Sequence, residues 1–160
     1  MPGAIRTNYD IGDNDVIDWQ GHTPHYVEYK TSQATIAPGH LVREIGTTDM
    51  SIALQSLALA QQLVGFVLYK ETNSKYQKAD VTSTYASGAW VAVAPLSQTY
   101  AIKTISGTFT ATHQQCGPDG TTDGAVSKIA VGTVERHKVG YNLTVNASGA
   151  GGSLIVQVGN

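Results

Sequence analysis

The chain is poor in cysteine, in charged residues and in long apolar runs. It has one cysteine in 160 residues, so no disulfide can form within the chain. Charged residues make up only 14% and the net charge is -2, which argues against a phosphate backbone or an anionic membrane as partner. No apolar run approaches the ~20 residues of a membrane span, and residues 1–20 lack the apolar core of a signal peptide. We therefore expect a soluble protein that is not secreted and binds neither nucleic acid nor membrane.

The chain also lacks the short motifs of common enzyme chemistry. It contains no Gly-x-Ser-x-Gly elbow, no phosphate-binding Gly-x-x-x-x-Gly-Lys loop and no His-Glu-x-x-His pair. His22, His25 and Glu28 resemble a metal-binding set, but Pro24 prevents a regular helix that would bring them to one face. A strand would point the two histidines to opposite sides. We expect no catalytic group, no metal and no cofactor.

Cys116 follows His113 by three residues, which raises the alternative of a Cys-His nucleophile. Such a thiolate needs a third polar group to orient the histidine and a pocket to receive a substrate. The sequence instead continues into a Gly-Pro-Asp-Gly turn. A buried or turn-capping thiol is the favoured interpretation, and an enzyme ranks third among the functional hypotheses.

Glycine and threonine are abundant, whereas lysine, glutamate and leucine are scarce, a bias typical of short strands joined by tight turns. Alternating segments of strand length recur from residue 25 onwards, and the nearly continuous apolar run at 63–70 indicates a strand buried on both faces. Pro38-Gly39 predicts a type II turn. The sequence therefore predicts a single all-β domain over 25–160, a compact barrel or sandwich, with at most a short helix near 56–62.

Residues 1–24 differ in character from the rest of the chain. They carry few apolar residues, several turn formers and four aspartates between positions 10 and 18. This composition predicts an extended N-terminal arm that needs a partner surface to become ordered.

One tetrapeptide, Gly-Thr-Thr-Asp, occurs at 46–49 and again at 120–123, and each copy precedes a Val-Gly-x-Val segment, at 64–67 and 131–134. The physical interpretation is a tight turn before a strand, with Asp49 or Asp123 accepting hydrogen bonds from nearby backbone amides. Residues 118–134, "PDGTTDGAVSKIAVGTV", resemble the signature region of lambda-type head decoration proteins of tailed viruses. The order of "IAPGHLV", "VGFVLYK" and "SGAWVAVAP" is similar to that of small cement proteins generally.

This resemblance implies a structural protein on the outer surface of the virion. It would bind the major capsid protein on the outside of an icosahedral shell and stabilise the lattice, as a homo-oligomer for which a trimer is favoured. The apolar residues of the arm are then the expected capsid-binding residues, because an exposed arm has no other use for such side chains. They are Ile5, Tyr9, Ile11, Val16, Ile17 and Trp19.

The alternative function is a glycan-binding, lectin-like β-sandwich on a virion surface. Eight Tyr and two Trp residues could stack on sugar rings, although they are scattered along the chain. Core and interface packing is the commoner use of these side chains. The glycan hypothesis predicts that several of them meet around one shallow groove.

Overall fold

A computed structural model describes residues 25–56, 63–68, 84–96, 109–129, 138–143 and 145, together with the backbone of strands at 16–17, 100–105 and 152–157. The fold is all-β, as the sequence predicts, and no helix occurs in this described part of the chain. The predicted helical turn near 56–62 lies almost entirely outside these residues. The strands are β1 (Val16–Ile17), β2 (Val27–Thr31), β3 (Leu41–Glu44), β4 (Ser51–Leu54), β5 (Leu63–Val67), β6 (Trp90–Pro95), β7 (Tyr100–Ile105), β8 (Gln115–Pro118), β9 (Val126–Lys128), β10 (Gly140–Asn142) and β11 (Gly152–Gln157).

Five strands close into a barrel in the order β2-β4-β3-β5-β6. All the neighbouring pairs are antiparallel except β2 with β4, which pair in parallel at Lys30 with Ser51 and at Thr31 with Ile52. The interior is filled by branched side chains, which suit the pleated inner wall of a small barrel. These buried residues are Ile36, Val42, Ile52, Val67, Val91 and Val93.

The other six strands form a second sheet in the order β1-β7-β11-β10-β8-β9. Its longest ladder joins β7 to β11 over six register pairs, from Tyr100 with Gln157 to Ile105 with Gly152. β1 lies at one edge, where it pairs with β7 through only two residues.

The barrel and the second sheet share a hydrophobic core. Successive residues of a strand point to opposite faces, so Val67 fills the barrel while its neighbours Phe66 and Leu68 point outward. The outward side chains are buried because the second sheet packs over them. This confirms the sequence prediction that the run at 63–70 is buried on both faces, within its described residues 63–68. The shared core contains Leu41, Phe66, Leu68, Ala92, Ala94, Phe109, Cys116, Val126 and Val139.

A β-bulge interrupts the pairing of β3 with β5. Val42 lies opposite Gly65 and Arg43 lies opposite Leu63, so Val64 is the extra residue. The bulge shifts the alternation of β5, and Leu63 packs with the shared core while Val64 packs with the barrel interior.

Pro38 and Gly39 form the predicted turn. The carbonyl oxygen of Ala37 accepts a hydrogen bond from the amide of His40 over 3.3 Å, and Gly39 has the positive φ of 80° that the third position of a type II turn requires. A strand follows the turn but none precedes it between residues 32 and 37. The turn is therefore a corner leading into β3 and not the centre of a hairpin.

Candidate functional site

The second Gly-Thr-Thr-Asp copy forms the turn between β8 and β9, and Asp119 organises it. Asp119 Oδ1 accepts hydrogen bonds from the amide of Thr121 at 2.8 Å, the amide of Thr122 at 2.7 Å and the Thr121 hydroxyl at 2.7 Å. Burial by itself raises the pKa of Asp119, but hydrogen bonds from Thr121, Thr122 and Ser127 outweigh burial and hold the pKa below its usual value. The prediction that Asp123 would accept from the amides of this turn was wrong, because the preceding Asp119 takes them.

The same turn is hydrogen-bonded to the barrel. The amide of Gly124 donates to the carbonyl oxygen of Gln55 at 2.8 Å, and the amide of Leu41 donates to the carbonyl oxygen of Gly124 at 2.8 Å. Gly124 has a φ of 79°, and a β-carbon there would lie 2.8 Å from Leu54 Cδ2. The conformation and the close approach both favour glycine. This turn therefore joins the second sheet to the ends of β3 and β4.

The first copy forms the exposed hairpin loop between β3 and β4. The amide of Ile45 donates to the carbonyl oxygen of Ser51 at 2.8 Å and closes the loop, while the amide of Thr48 donates to Ile45 at 3.1 Å. Residues 46–50 are all exposed. The interpretation of both copies as turns between strands is thus confirmed. Residues 46–49 and 120–123 are exposed, and the residue after each copy is hydrogen-bonded to another segment; Gly124 is buried, whereas Met50, which accepts from the Lys30 amide, is exposed. The Val-Gly-Thr-Val segment at 131–134 lies outside the described residues.

His40 lies between the barrel and the docked turn. Its Nδ1 accepts a hydrogen bond from the amide of Ala37 at 3.1 Å, and a β-carbon at Gly124 would lie 3.2 Å from its Cγ. Burial lowers the pKa of His40, because an imidazolium ion would lose hydration there. Protonation of Nδ1 would also remove the acceptor for the Ala37 amide. Sequence reasoning missed this histidine, since it lies beside Gly124, a residue far away in the chain.

Cys116 is fully buried in the shared core. Its thiol donates to the carbonyl oxygen of Gln114 at 3.3 Å, and burial raises its pKa to about 12. His113 is exposed, with a φ of 58° and its amide donating to the carbonyl oxygen of Asn142 at 2.8 Å. A thiol with this pKa stays protonated near neutral pH and is a poor nucleophile. The interpretation of Cys116 as a buried thiol is confirmed.

Asn142 organises the loop before β8. Its side chain is buried; Nδ2 donates to the carbonyl oxygen of Ala111 at 2.7 Å and Oδ1 accepts from the amide of Gln114 at 2.6 Å. Asn142-Leu-Thr144 fits the glycosylation pattern, but this side chain is buried and already bonded at both ends. In the folded protein Asn142 is a structural residue.

The candidate metal set is only partly described. His25 and Glu28 are exposed at the beginning of β2, and His22 lies outside the described residues. Within the described ranges, no three His, Cys, Asp or Glu side chains are placed to hold one ion.

Four of the six predicted capsid-binding residues lie outside the described residues, namely Ile5, Tyr9, Ile11 and Trp19. The other two, Val16 and Ile17, are β1. Their backbone pairs antiparallel with Ile102 and Ala101 of β7. The N-terminal segment therefore contributes an edge strand to the second sheet before the chain reaches the barrel.

Exposed apolar side chains gather around β2. Trp90 is 51% exposed and lies directly opposite Lys30 in the antiparallel β2–β6 ladder. On the other side, the amide of Lys30 donates to the carbonyl oxygen of Met50 at 2.7 Å, and Met50 is 40% exposed. Tyr26 and Val27 are exposed at the beginning of the strand. We call this set the β2 surface: Tyr26, Val27, Glu28, Lys30, Met50 and Trp90.

The exposed aromatic side chains of the described chain lie on both sheets. Trp90 lies opposite Lys30, and Tyr26 is four positions before Lys30 in the chain. At the rise of a strand, Tyr26 and Trp90 are therefore roughly 13 Å apart. Tyr141 lies on β10 of the other sheet, and Tyr85 bonds through its hydroxyl to the carbonyl oxygen of Leu68.

No protein-family model matches this chain, and no curated protein is significantly similar to it in sequence. Among the described residues, no helix has the length and apolar character needed to cross a membrane.

Proposed function

We propose that this protein is a capsid decoration protein, which binds the outside of an icosahedral virus shell and stabilises the lattice of major capsid proteins. The sequence resemblance at 118–134 supports this assignment. Its described part, through Ile129, forms the Asp119-centred turn and β9. Because a shell presents many equivalent sites, modest contacts by each copy add up over the lattice.

The observation that carries the proposal is the position of the N-terminal segment. β1 adds to the edge of the second sheet through two register pairs, while the barrel begins only at Val27. Strand addition at a sheet edge is a recurrent way in which one protein binds another. A segment that reaches a sheet edge and carries apolar side chains is suited to contact a shell subunit.

The test is a binding assay with shells that lack the protein, taken from the same virus. Full-length protein should bind saturably and raise the temperature at which the shells disrupt. Deletion of residues 1–20 should abolish or strongly weaken binding, because it removes all six predicted capsid-binding residues. A barrel variant at an exposed site, Gly46→Ala, serves as the matched control and should bind as the wild type does.

Two results would contradict the proposal. Undiminished binding by the deletion variant would show that the arm does not contribute to shell binding. A wild-type protein that does not bind shells would contradict the decoration function. Glycan binding would then be the favoured function, and a glycan array tests it directly. Light scattering is expected to give the mass of a trimer, about three times 16.9 kDa.

A further inference from the structure

The imidazole of His40 is hydrogen-bonded within the corner that leads into β3. The amide of His40 donates to the carbonyl oxygen of Ala37 at 3.3 Å, and the amide of Ala37 donates back to His40 Nδ1 at 3.1 Å. Ala37 is buried, so an amide that lost this acceptor would be left without a partner at a cost in free energy. The corner therefore requires a neutral ring, with its proton on Nε2.

The backbone on one side of the ring is fixed to the barrel. The amide of Val67 donates to the carbonyl oxygen of His40 at 2.9 Å, and the amide of Gly39 donates to the carbonyl oxygen of Val67 at 2.8 Å. These two bonds attach both ends of the corner to β5. A change at the ring is therefore not relieved by a shift of the corner.

The segment on the other side of the ring is the β8–β9 turn. A β-carbon at Gly124 would lie 3.2 Å from His40 Cγ and 3.3 Å from His40 Cβ. Gly124 is bonded to the barrel by two hydrogen bonds of 2.8 Å, one with Gln55 and one with Leu41. Residues 120–123 just before it are exposed. The turn can therefore move away from the ring while the strands of the barrel stay paired.

We propose that His40 is a pH-sensitive switch: when its imidazole is protonated, the β8–β9 turn separates from the barrel while the barrel stays folded. Protonation places an N–H at Nδ1, and a ring rotated by 180° offers the Ala37 amide only a C–H. The imidazolium ion also needs hydration that the space between barrel and turn does not provide. Separation of the turn admits water to both groups. The switch does not depend on the proposed capsid function.

The other ionisable residues around this contact titrate elsewhere or lie farther away. In the turn, Asp119 is hydrogen-bonded to neighbouring amides and Asp123 is exposed. On the side of β3, Arg43 and Glu44 follow His40 by three and four positions, roughly 10–13 Å at the rise of a strand. The corner, β4 and β5 contain no ionisable side chain. Among the described residues at this contact, only His40 has a usual pKa between pH 5.5 and pH 7.5.

The direction of the pH effect follows from the position of the ring. Burial lowers the pKa of His40 while the turn is attached, and separation of the turn returns the pKa towards its usual value of 6.5. The separated state therefore takes up the proton first as the pH falls below 6.5. Its population rises by at most about tenfold per pH unit, and above pH 6.5 it is constant.

The experiment measures amide hydrogen exchange of the full chain by NMR at pH 7.5 and pH 5.5. Each rate is compared with that of an unstructured amide at the same pH, which gives a protection factor. The amides of Gly124 and Leu41 report on the contact, and those of Thr31 and Leu68 report on the barrel. Protection of the first pair should fall by up to about tenfold between the two pH values. At pH 5.5 it should lie about tenfold or more below that of the barrel pair.

His40→Asn is the test variant, because the Asn Oδ1 can accept from the Ala37 amide but does not titrate. Protection of Gly124 in this variant should be the same at both pH values. His113→Asn is the matched control, since it replaces an exposed histidine whose φ of 58° suits asparagine. It should keep the pH dependence of the wild type.

The wild type alone can overturn the switch. If Gly124 and Leu41 are as protected as the barrel amides at pH 5.5, the turn opens only when the whole protein unfolds. Protection of Gly124 that does not fall with pH would show that the ring does not control the turn. An unchanged pH dependence in His40→Asn, or its loss in His113→Asn, would assign the effect to another group.

Discussion

Gly65 lies against the carbonyl group of Ala94 on the neighbouring strand, so closely that a β-carbon at position 65 would overlap the carbonyl oxygen. The contact occurs beside the bulge at Val64, where β5 changes the face to which its side chains point. Glycine thus allows β5 and β6 to approach each other at the place where both are buried on two sides.

Gly65→Ala is expected to destabilise the protein by about 3 kcal/mol or more, at the upper end of what overpacking costs. The obstacle is backbone, which cannot rotate away as a side chain can. Chemical denaturation of the purified variant measures the loss. An unfolding free energy within experimental error of the wild type would show that β6 moves aside at no cost.

Gly124→Ala should cost about 1–3 kcal/mol, because an L residue is strained at positive φ and the new methyl group meets Leu54. Gly46→Ala, in the exposed loop of the first Gly-Thr-Thr-Asp copy, is the control. No atom lies within 4 Å of a β-carbon there, so stability should change by less than about 1 kcal/mol, and in the stabilising direction. Equal effects of the two substitutions would contradict the difference between a buried glycine at positive φ and an exposed glycine with free space around it.

The stability of the protein should fall as the pH drops below about 6.5, the usual pKa of histidine, because His40 has a lowered pKa in the folded state. The unfolded chain takes up the proton first, and the loss continues until the pH reaches the folded pKa. The folding equilibrium changes by at most about tenfold per pH unit from this one proton. Above pH 6.5 His40 makes no pH-dependent contribution.

His40→Asn is the variant that tests the assignment. The Asn Oδ1 can accept from the Ala37 amide as Nδ1 does, but it does not titrate. Denaturation curves at pH 7.5 and pH 5.5 should differ less for this variant than for the wild type. Asp119 does not contribute to the difference between pH 7.5 and pH 5.5, because its pKa lies below the usual 3.8. The same pH dependence in both proteins would assign the effect to another group.

The Cys116 thiol should not react with a small disulfide reagent at pH 8 while the protein is folded. It is buried, and its pKa of about 12 leaves almost no thiolate at that pH. Unfolding in guanidinium should make one thiol per chain reactive. Rapid labelling of the folded protein would show that the core around Cys116 opens easily.

Local chemistry allowed several elements to be predicted from the sequence. Pro38 and Gly39 specify a type II turn by their own backbone preferences, and the apolar run at 63–70 could be recognised as doubly buried because both of its alternating sets are apolar. The Gly-Thr-Thr-Asp copies were recognisable as turns for the same reason. The amide acceptor of the second copy was misassigned, because both Asp119 and Asp123 lie close enough in sequence and only the folded backbone decides between them.

The sequence by itself determined the all-β class, the positions of most strands and the turn character of both repeats, since these follow from alternation and from residues with restricted dihedral angles. Only the tertiary structure decided that Gly124, after the second repeat, is buried and bonded to Gln55 and Leu41, whereas Met50, after the first, is exposed. It alone placed His40 at that junction, Asn142 at the loop before β8, and Trp90 beside Lys30. These relationships join residues far apart in the chain, and no local preference encodes which distant strands become neighbours.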